Sequence, residues 1–395
     1  MNRTDVPRRQ LRPRLPVAFN GGDFLSTIRK GERGPGRSWP AGDARTFLLS
    51  SGRAALWLLL KGLGLPAGAR VGVPLFCCEA VFEAVERAGC APTFLDVNPE
   101  TFVLDAEDAS VSVDAVVAVH LFGNPVDLTR LRSPRGAPVV EDCAHSFFGE
   151  IHGTPVGSLG VGAMYSFGLG KPVSLGRLGA AVTRTTGLSE RGQDLHRSLP
   201  AEGARGKVSR AVTSKLVAAL YREPWYGMFA FKVAQQYEST IDPMGKEAAS
   251  YQAAPSELIG IVADKVDRYR GTIEAQRDAW KHLADVVADV SKNRFVPQAT
   301  TKGCISDRWL FALRCPSTRD RDELVDRLGR QGVDSIKFYD RVPAIARERF
   351  GYKGGAPSAE SLCKSTVVVP VRVPTDRDDG GRLAAALANA IRGAG

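Results

Sequence analysis

Between residues 46 and 183 short apolar runs alternate with amphipathic stretches, and few folds accommodate that rhythm. The runs predict strands at Thr46–Leu49, Arg70–Val73, Thr93–Val97, Ala115–Phe122, Pro138–Glu141, Ala163–Phe167 and Gly179–Thr183. Helices are expected at Arg53–Gly62 and Glu79–Ala88, the second with Ala80, Val81, Ala84, Val85 and Ala88 at helical spacing. Strands joined by crossover helices imply an α/β fold with a mostly parallel seven-stranded sheet, covered by helices on both faces. Ligand chemistry in such sheets lies at the strand C-termini, so functional residues are expected just after strands.

Beyond Thr185 the rhythm fails. Residues 185–255 predict an irregular or helical insertion, basic at first and then aromatic-rich over Tyr221–Phe231. Ser256–Val290 reads as one long helix with Leu258, Ile261, Val262, Val266, Tyr269 and Ile273 on a stripe, and the remainder as a compact α/β unit. That unit has strands at Trp309–Cys315 and Thr366–Val371 and helices at Asp320–Gln331 and Arg382–Ile391. The expected organisation is an irregular basic arm over 1–40, a large domain over 41–275 and a small C-terminal domain over 276–395.

The net charge of +10 suits a nucleic-acid binder, a membrane-surface protein or an enzyme for anionic substrates. Residues 1–40 hold nine Lys/Arg and three Asp/Glu, a surplus of six, so residues 41–395 carry only +4. No helix-turn-helix pattern or basic–aromatic interleaving accompanies the arm, which argues against a nucleic-acid partner. No run approaches the roughly 18 apolar residues of a membrane helix, and no signal core follows Arg3, Arg8, Arg9, Arg12 and Arg14. A cytoplasmic protein with no membrane partner is expected. Seven scattered cysteines without a CxxC pair support neither a zinc site nor a disulfide framework, and they read as small buried apolar residues.

Three segments carry chemistry. Tyr165–Ala180 places Lys171 after a predicted strand among Gly168, Gly170, Gly176 and Gly179. A triphosphate loop fails there, because Tyr165 stands where its first glycine belongs and Pro172 where its Ser/Thr belongs. Glu141 and Asp142 end another strand, where buried carboxylates need a metal, an arginine or a cofactor cation as partner. For a metal the set is thin, since only His145 stands near. Finally, Ser50-Ser51-Gly52-Arg53 runs from a strand into a helix, an anion site by its free N–H groups and dipole, or simply a helix cap.

Together these segments resemble the DegT/DnrJ/StrS-type sugar aminotransferases, fold type I enzymes dependent on pyridoxal 5′-phosphate (PLP). The family's Ser-Gly-Thr-Ala-Ala-Leu turn is similar to Ser51–Leu56, its Val-Pro-aromatic run to Val73-Pro74-Leu75-Phe76, and its Glu-Asp-x-Ala-Gln/His segment to Glu141–His145. Phe94–Pro99, Val119–Gly123 and Gly157–Lys171 also match family segments, and the likeness runs from about residue 45 to the end. The resemblance implies that Lys171 binds the cofactor aldehyde and then acts as acid and base, that Asp142 pairs with the pyridinium nitrogen, and that His145 touches the phenolic oxygen. It also implies that Ser51, Gly52, Arg53 and Ser166 hold the phosphate, with the Arg53 side chain adding a charge-assisted contact. A homodimer with shared sites follows, in which Gln252 of one subunit serves the other's phosphate.

The chain departs from the family pattern at Cys78, where an aromatic usually stacks on the cofactor ring; that stacking is lost here or passes to Phe76. The family's Gly-Glu-Gly-Gly becomes Gly176-Arg177-Leu178-Gly179, which offers Arg177 to an anionic substrate. Retention of Lys171 argues against the family's dehydratase branch, where histidine replaces it. The expected activity is amino transfer from glutamate or glutamine to a keto group on a nucleotide-linked sugar, a cyclitol or a natural-product intermediate, with no metal. A different PLP reaction, such as elimination or decarboxylation, and a non-catalytic regulatory relative are the alternatives.

Overall fold

The computed structural model of the 395-residue chain describes residues 11–13, 44–105, 112–131, 136–203, 212–213, 215–232, 251–256, 258–371 and 377–393. The expected arm therefore lies outside the described residues except for 11–13, and so does much of the 185–255 insertion.

All seven predicted strands form one sheet: β1 (Arg45–Leu49), β2 (Arg70–Pro74), β3 (Ala91–Leu95), β4 (Ala115–Val119), β5 (Val139–Asp142), β8 (Gly162–Ser166) and β9 (Gly179–Thr183), in the order β1-β9-β8-β5-β4-β2-β3. β6 (Glu150–Ile151) pairs instead with β7 (Thr154–Pro155) on one side and with a later two-residue strand, β11 (Cys304–Ile305), on the other. Contacts among β8, β5, β4, β2 and β3 are parallel, while β9 runs against both β8 and β1. The reversal has a simple cause. Residues 167–178 between β8 and β9 contain no helix, and a parallel return needs a long crossover. The glycine-rich loop carrying Lys171 is thus the turn of an antiparallel pair.

α1 (Gly52–Gly62) and α2 (Ala80–Arg87) follow β1 and β2. Leu56, Leu58, Leu59 and Leu60 of α1 are buried in the main core, each contributing about 1.5–3 kcal/mol. The predicted strand 115–122 stops at Val119 because a tight turn begins at His120, with Phe122 at φ +57°. A further helix, α3 (Thr186–Ser198), opens the stretch expected as an insertion. The single helix expected over Ser256–Val290 is two, α4 (Leu258–Arg270) and α5 (Ile273–Ser291), interrupted at Gly271-Thr272, where glycine weakens the helix.

The C-terminal part orders β10 (Val296–Pro297), β12 (Leu310–Arg314) and β13 (Thr366–Pro370) in an antiparallel sheet. It has its own core, with Leu283 and Val287 of α5 against Phe311, Leu324 and Leu387. α6 (Thr318–Arg330), α7 (Val342–Arg349), α8 (Pro357–Ser365) and α9 (Arg377–Arg392) complete it. The sequence reading missed α7 and α8, whose short sequences lack a sustained apolar period. The six co-directional strands of the large sheet bring Ser51, Cys78, His120, Asp142 and Ser166 to a single edge.

Candidate active site

The site begins with the turn from β1 into α1. Ser51 has extended dihedrals and its Oγ accepts the Ala54 N–H at 3.1 Å, so it caps α1. The N–H groups of Gly52 and Arg53, in the first turn, have no partner within the helix and point a positive dipole end outward. Ser166, at the end of β8, packs on this turn. A Cβ on Gly52 would lie 2.8 Å from the Ser166 Cβ, and one on Gly179 would lie 2.2 Å from the Ser51 carbonyl oxygen. Glycine at 52 and 179 is therefore required for the approach, and a cradle of backbone N–H groups and the Ser166 hydroxyl results.

Lys171 reaches the same edge. Its Nζ lies 2.8 Å from His145 Nε2. The Phe122 N–H donates to His145 Nδ1 at 3.2 Å, which makes Nε2 the protonated nitrogen of a neutral ring and turns its N–H toward the lysine lone pair. Burial, followed by Lys171, holds His145 well below the usual histidine range, and burial lowers Lys171 against the opposing pull of Cys78 and Asp142. Both shifts favour an uncharged amine beside an uncharged imidazole. Asp142 is buried and its Oδ1 accepts the Ala144 N–H at 2.9 Å. Burial raises its pKa, while that N–H, Lys171 and His120 pull it down.

The loop that carries Lys171 is anchored from below. Val173, Leu175 and Leu178 pack with Leu258, Val262 and Val266 of α4. Buried Lys265 of α4 donates to the Ser174 carbonyl at 2.8 Å. Arg177, in the same loop, is exposed.

Two expectations change. The Arg53 guanidinium, expected at a phosphate, is ion-paired with Glu83, which also accepts from Arg349 at 3.3 Å. The partly buried Glu83 carboxylate already satisfies its charge, leaving the Arg53 backbone N–H as its share of the cradle. Phe76 cannot cover a ring at the site. It is fully buried, with Phe102, Phe122 and Tyr339 edge-on around it. Cys78 is half-buried, and burial followed by Glu79 pushes its thiol up to about 12. Gln252 is fixed beside its own chain's turn: its carbonyl accepts the Ser50 N–H at 3.0 Å and its N–H donates to Ser50 Oγ at 3.3 Å.

Three residues near the site escaped the sequence reading. Tyr339, at φ +63°, stacks at 14° on Phe122, which in turn lies at 12° to His145. Burial, then Cys78, Cys77 and Asp142, raise its phenol pKa well above the ordinary value. Buried Trp309 stands edge-on to His145 at 5.2 Å. Asp307 accepts the N–H groups of Phe147 at 2.6 Å and Phe148 at 3.1 Å, pinning the loop after Asp142. The acid-Arg-Trp entry to a predicted strand was the only signal for the last two; nothing local marked Tyr339.

Glu141 belongs to a different environment. Its Oε2 takes the His120 Nε2–H at 3.1 Å and the Gly157 N–H at 2.7 Å, and its Oε1 takes the N–H groups of Leu159 at 2.9 Å and Gly160 at 2.6 Å. His120 Nδ1 accepts from Val126 N–H. Glu141, His120 and Cys143 have ligand atoms close enough for a metal, but this bonding already occupies the carboxylate and both imidazole nitrogens.

The sequence profile of the DegT/DnrJ/EryC1/StrS aminotransferase family matches residues 41–221 and 256–388. An L-glutamine:2-deoxy-scyllo-inosose aminotransferase of Streptomyces kanamyceticus is 33% identical over 153 residues, 37% of this chain and 36% of that protein. A GDP-perosamine synthase of Escherichia coli O157:H7 is 33% identical over 150 residues, 36% of this chain and 41% of that one. The matched stretches thus span well under half the length of these relatives. In fold, the chain is similar to the Spr1654 protein of Streptococcus pneumoniae, described as a sugar aminotransferase, in its PLP form: TM-score 0.73, 16% identity, 97% of this chain and 99% of that one.

Proposed function

As the chain belongs to the DegT/DnrJ/EryC1/StrS aminotransferase family, we propose that it is a PLP-dependent transaminase that moves an amino group from glutamine or glutamate to a keto group of a cyclitol or nucleotide-linked sugar. The observation that carries the reading is the 2.8 Å approach of Lys171 Nζ to His145 Nε2, beside buried Asp142 and opposite the N-terminus of α1. The donor set suits the cofactor. The N–H groups of Gly52 and Arg53, Ser51 and the Ser166 hydroxyl fit a phosphate, Asp142 fits a pyridinium nitrogen, His145 Nε2–H fits a phenolic oxygen, and Lys171 fits an aldehyde.

When bound, PLP supplies an aldehyde that takes up the donor's nitrogen and a ring that accepts electrons. The protein's own residues do the rest. Lys171 Nζ, whose pKa burial lowers, would take a proton from the substrate carbon that bears the nitrogen and would return it on the cofactor side. The Asp142 carboxylate keeps a positive charge within reach of the ring nitrogen. His145, its tautomer fixed by Phe122 N–H, orients Lys171. Tyr339 closes the wall that Cys78, lacking an aromatic ring, leaves open.

The reading extends to a cytoplasmic homodimer in which Gln252 supports a phosphate site and Arg177 meets an anionic acceptor. The names of the two relatives support the acceptor class: one acts on an inosose with L-glutamine, the other is a GDP-perosamine synthase. Mass spectrometry after incubation with PLP, ¹⁵N-glutamine or ¹⁵N-glutamate and a panel of keto sugars and cyclitol ketones tests the proposal. Label is expected in at least one acceptor and none with Lys171→Ala. Consumption of the donor without label in any acceptor would contradict it.

A further inference from the structure

His145 lies where two loops of the large sheet meet, and a third segment, residues 306–309, joins them. The first loop follows β4: Phe122, at φ +57°, and Gly123, at φ +90°, turn the chain so that the Phe122 N–H reaches His145 Nδ1 on the second loop. That bond decides which nitrogen of His145 faces Lys171. It is not the only link between the loops. The Ser306 hydroxyl donates to the Gly123 carbonyl at 2.8 Å, and the Asp307 N–H donates to the same carbonyl at 3.1 Å. On the second loop, the Asp307 carboxylate accepts the N–H groups of Phe147 and Phe148 and, at 3.4 Å, the Ser146 hydroxyl. Asp307 thus bonds the first loop through its backbone and the second through its side chain.

The joint is close-packed and held from behind. A Cβ on Gly123 would lie 3.1 Å from the Asp307 Cβ and 3.2 Å from the His145 carbonyl oxygen. From α5, Gln276 Nε2 donates to the Asp307 carbonyl at 2.6 Å, and Arg277 donates to the carbonyls of Ser306 at 3.0 Å and Phe148 at 3.3 Å. Asp307 is fully buried. Burial pushes its pKa up to about 6 against the pull of the Phe147 and Phe148 N–H groups, Arg277 and Ser146, so at neutral pH it is ionised and both oxygens accept. An amide of the same shape would turn a donor toward one of those partners, which is a reason for a charge in so buried a place.

We propose that Asp307 is the positioning residue for His145: by bonding both loops it fixes the Phe122–His145 register and keeps His145 Nε2 directed at Lys171. It acts through His145 and not at the reacting atoms. The catalytic weight of that register rests on the transaminase reading, whereas the joint itself does not.

Full-length, PLP-loaded wild type is compared with Asp307→Ala, Asp307→Asn, His145→Ala and the Asp307→Ala/His145→Ala double variant. Amide hydrogen exchange reads the joint without any reaction: Asp307→Ala should exchange about tenfold faster or more over residues 121–124 and 145–149, with α9 unchanged, and Asp307→Asn, which keeps one acceptor, by less. The pH at which the visible cofactor absorbance changes should move in Asp307→Ala toward its value in His145→Ala and stay nearer wild type in Asp307→Asn. In amino transfer, Asp307→Ala should lower kcat about tenfold to 10²-fold with the donor KM within about threefold. In the His145→Ala background the same change should cost less than about threefold, because the residue it positions is gone. Where Asp307→Ala does not fold, Asp307→Asn carries the same comparisons with smaller effects. Unchanged exchange in both segments, or an equal loss of kcat with and without His145, would overturn the proposal. If wild type aminates no acceptor, the transaminase reading fails alone, and exchange still decides for or against the joint.

Discussion

Glu141 and Asp142 are consecutive residues of β5, both buried, and strand alternation turns them to opposite faces of the same sheet. Toward one face, Glu141 receives four donors, and although burial pushes its pKa up, His120 and the N–H groups of Gly160 and Gly157 hold it below the ordinary value. Toward the other, Asp142 is pushed above its ordinary value by burial, which the Ala144 N–H, Lys171 and His120 only partly offset. One carboxylate is a fastener for the 157–160 loop. The other is held under-compensated, so a cation that enters its side of the sheet gains a partner. Adjacent acids in a sequence thus take unlike roles through what the fold turns toward each.

That contrast can be broken in a definite order. Lys171→Ala should cost the largest factor, about 10³-fold or more in amino transfer, with the melting temperature unchanged or higher because a buried amine is removed. Asp142→Asn keeps the Ala144 contact through its remaining oxygen and loses the charge; amino transfer should fall about 10²–10³-fold while stability at neutral pH holds or rises. Glu141→Gln should do the reverse. Its amide would face the His120 Nε2–H and Gly157 N–H with a donor, so stability should drop by about 1–3 kcal/mol in urea unfolding, with amino transfer little changed in the protein that stays folded.

Acid titration sharpens the same contrast. The folded pKa of Glu141 is depressed, so its contribution is present above its ordinary value of 4.5 and lost as pH falls through the folded value. That of Asp142 is raised, so its contribution is complete below its ordinary 3.8 and lost as pH rises through the folded value. Urea unfolding across pH 3 to 7 (roughly the span of these titrations) should show Glu141→Gln losing part of the acid limb of wild type. Asp142→Asn should retain that limb and gain at the neutral end. The smallest effect belongs to Tyr339: its change to Ala should weaken PLP binding by about threefold to tenfold in fluorescence titration, and its change to Phe by less, since the ring does the covering.

Much of this was legible in the chain. Every strand of the large sheet announced itself as a short apolar run, because a strand buried on both faces leaves no room for polar residues, and Lys171, Asp142, Ser51 and Ser166 follow strands as such a sheet requires. What local pattern could not carry was direction and distance. The reversal of β9 depends on the absence of a crossover helix. The Glu83 partner of Arg53 comes from the next helix, 30 residues on. Tyr339 reaches Phe122 from more than 200 residues away, so no spacing rule could pair them. The burial of Phe76 was hidden for a related reason: a Phe after a strand reads the same whether it faces a ligand or three other rings.

The central claim, that the Asp142 and Lys171 side of β5 is the chemical one, is tested most directly by rapid mixing of PLP-loaded protein with glutamine or glutamate while following its visible absorbance. Wild type and folded Glu141→Gln should lose that absorbance at rates within about tenfold of each other and regain it on addition of the matching keto acid. Asp142→Asn should be slower by about 10²-fold or more, and Lys171→Ala should not respond on that timescale. A Lys171→Ala protein that exchanged its amino group at the wild-type rate, or an Asp142→Asn protein no slower than Glu141→Gln, would contradict the assignment.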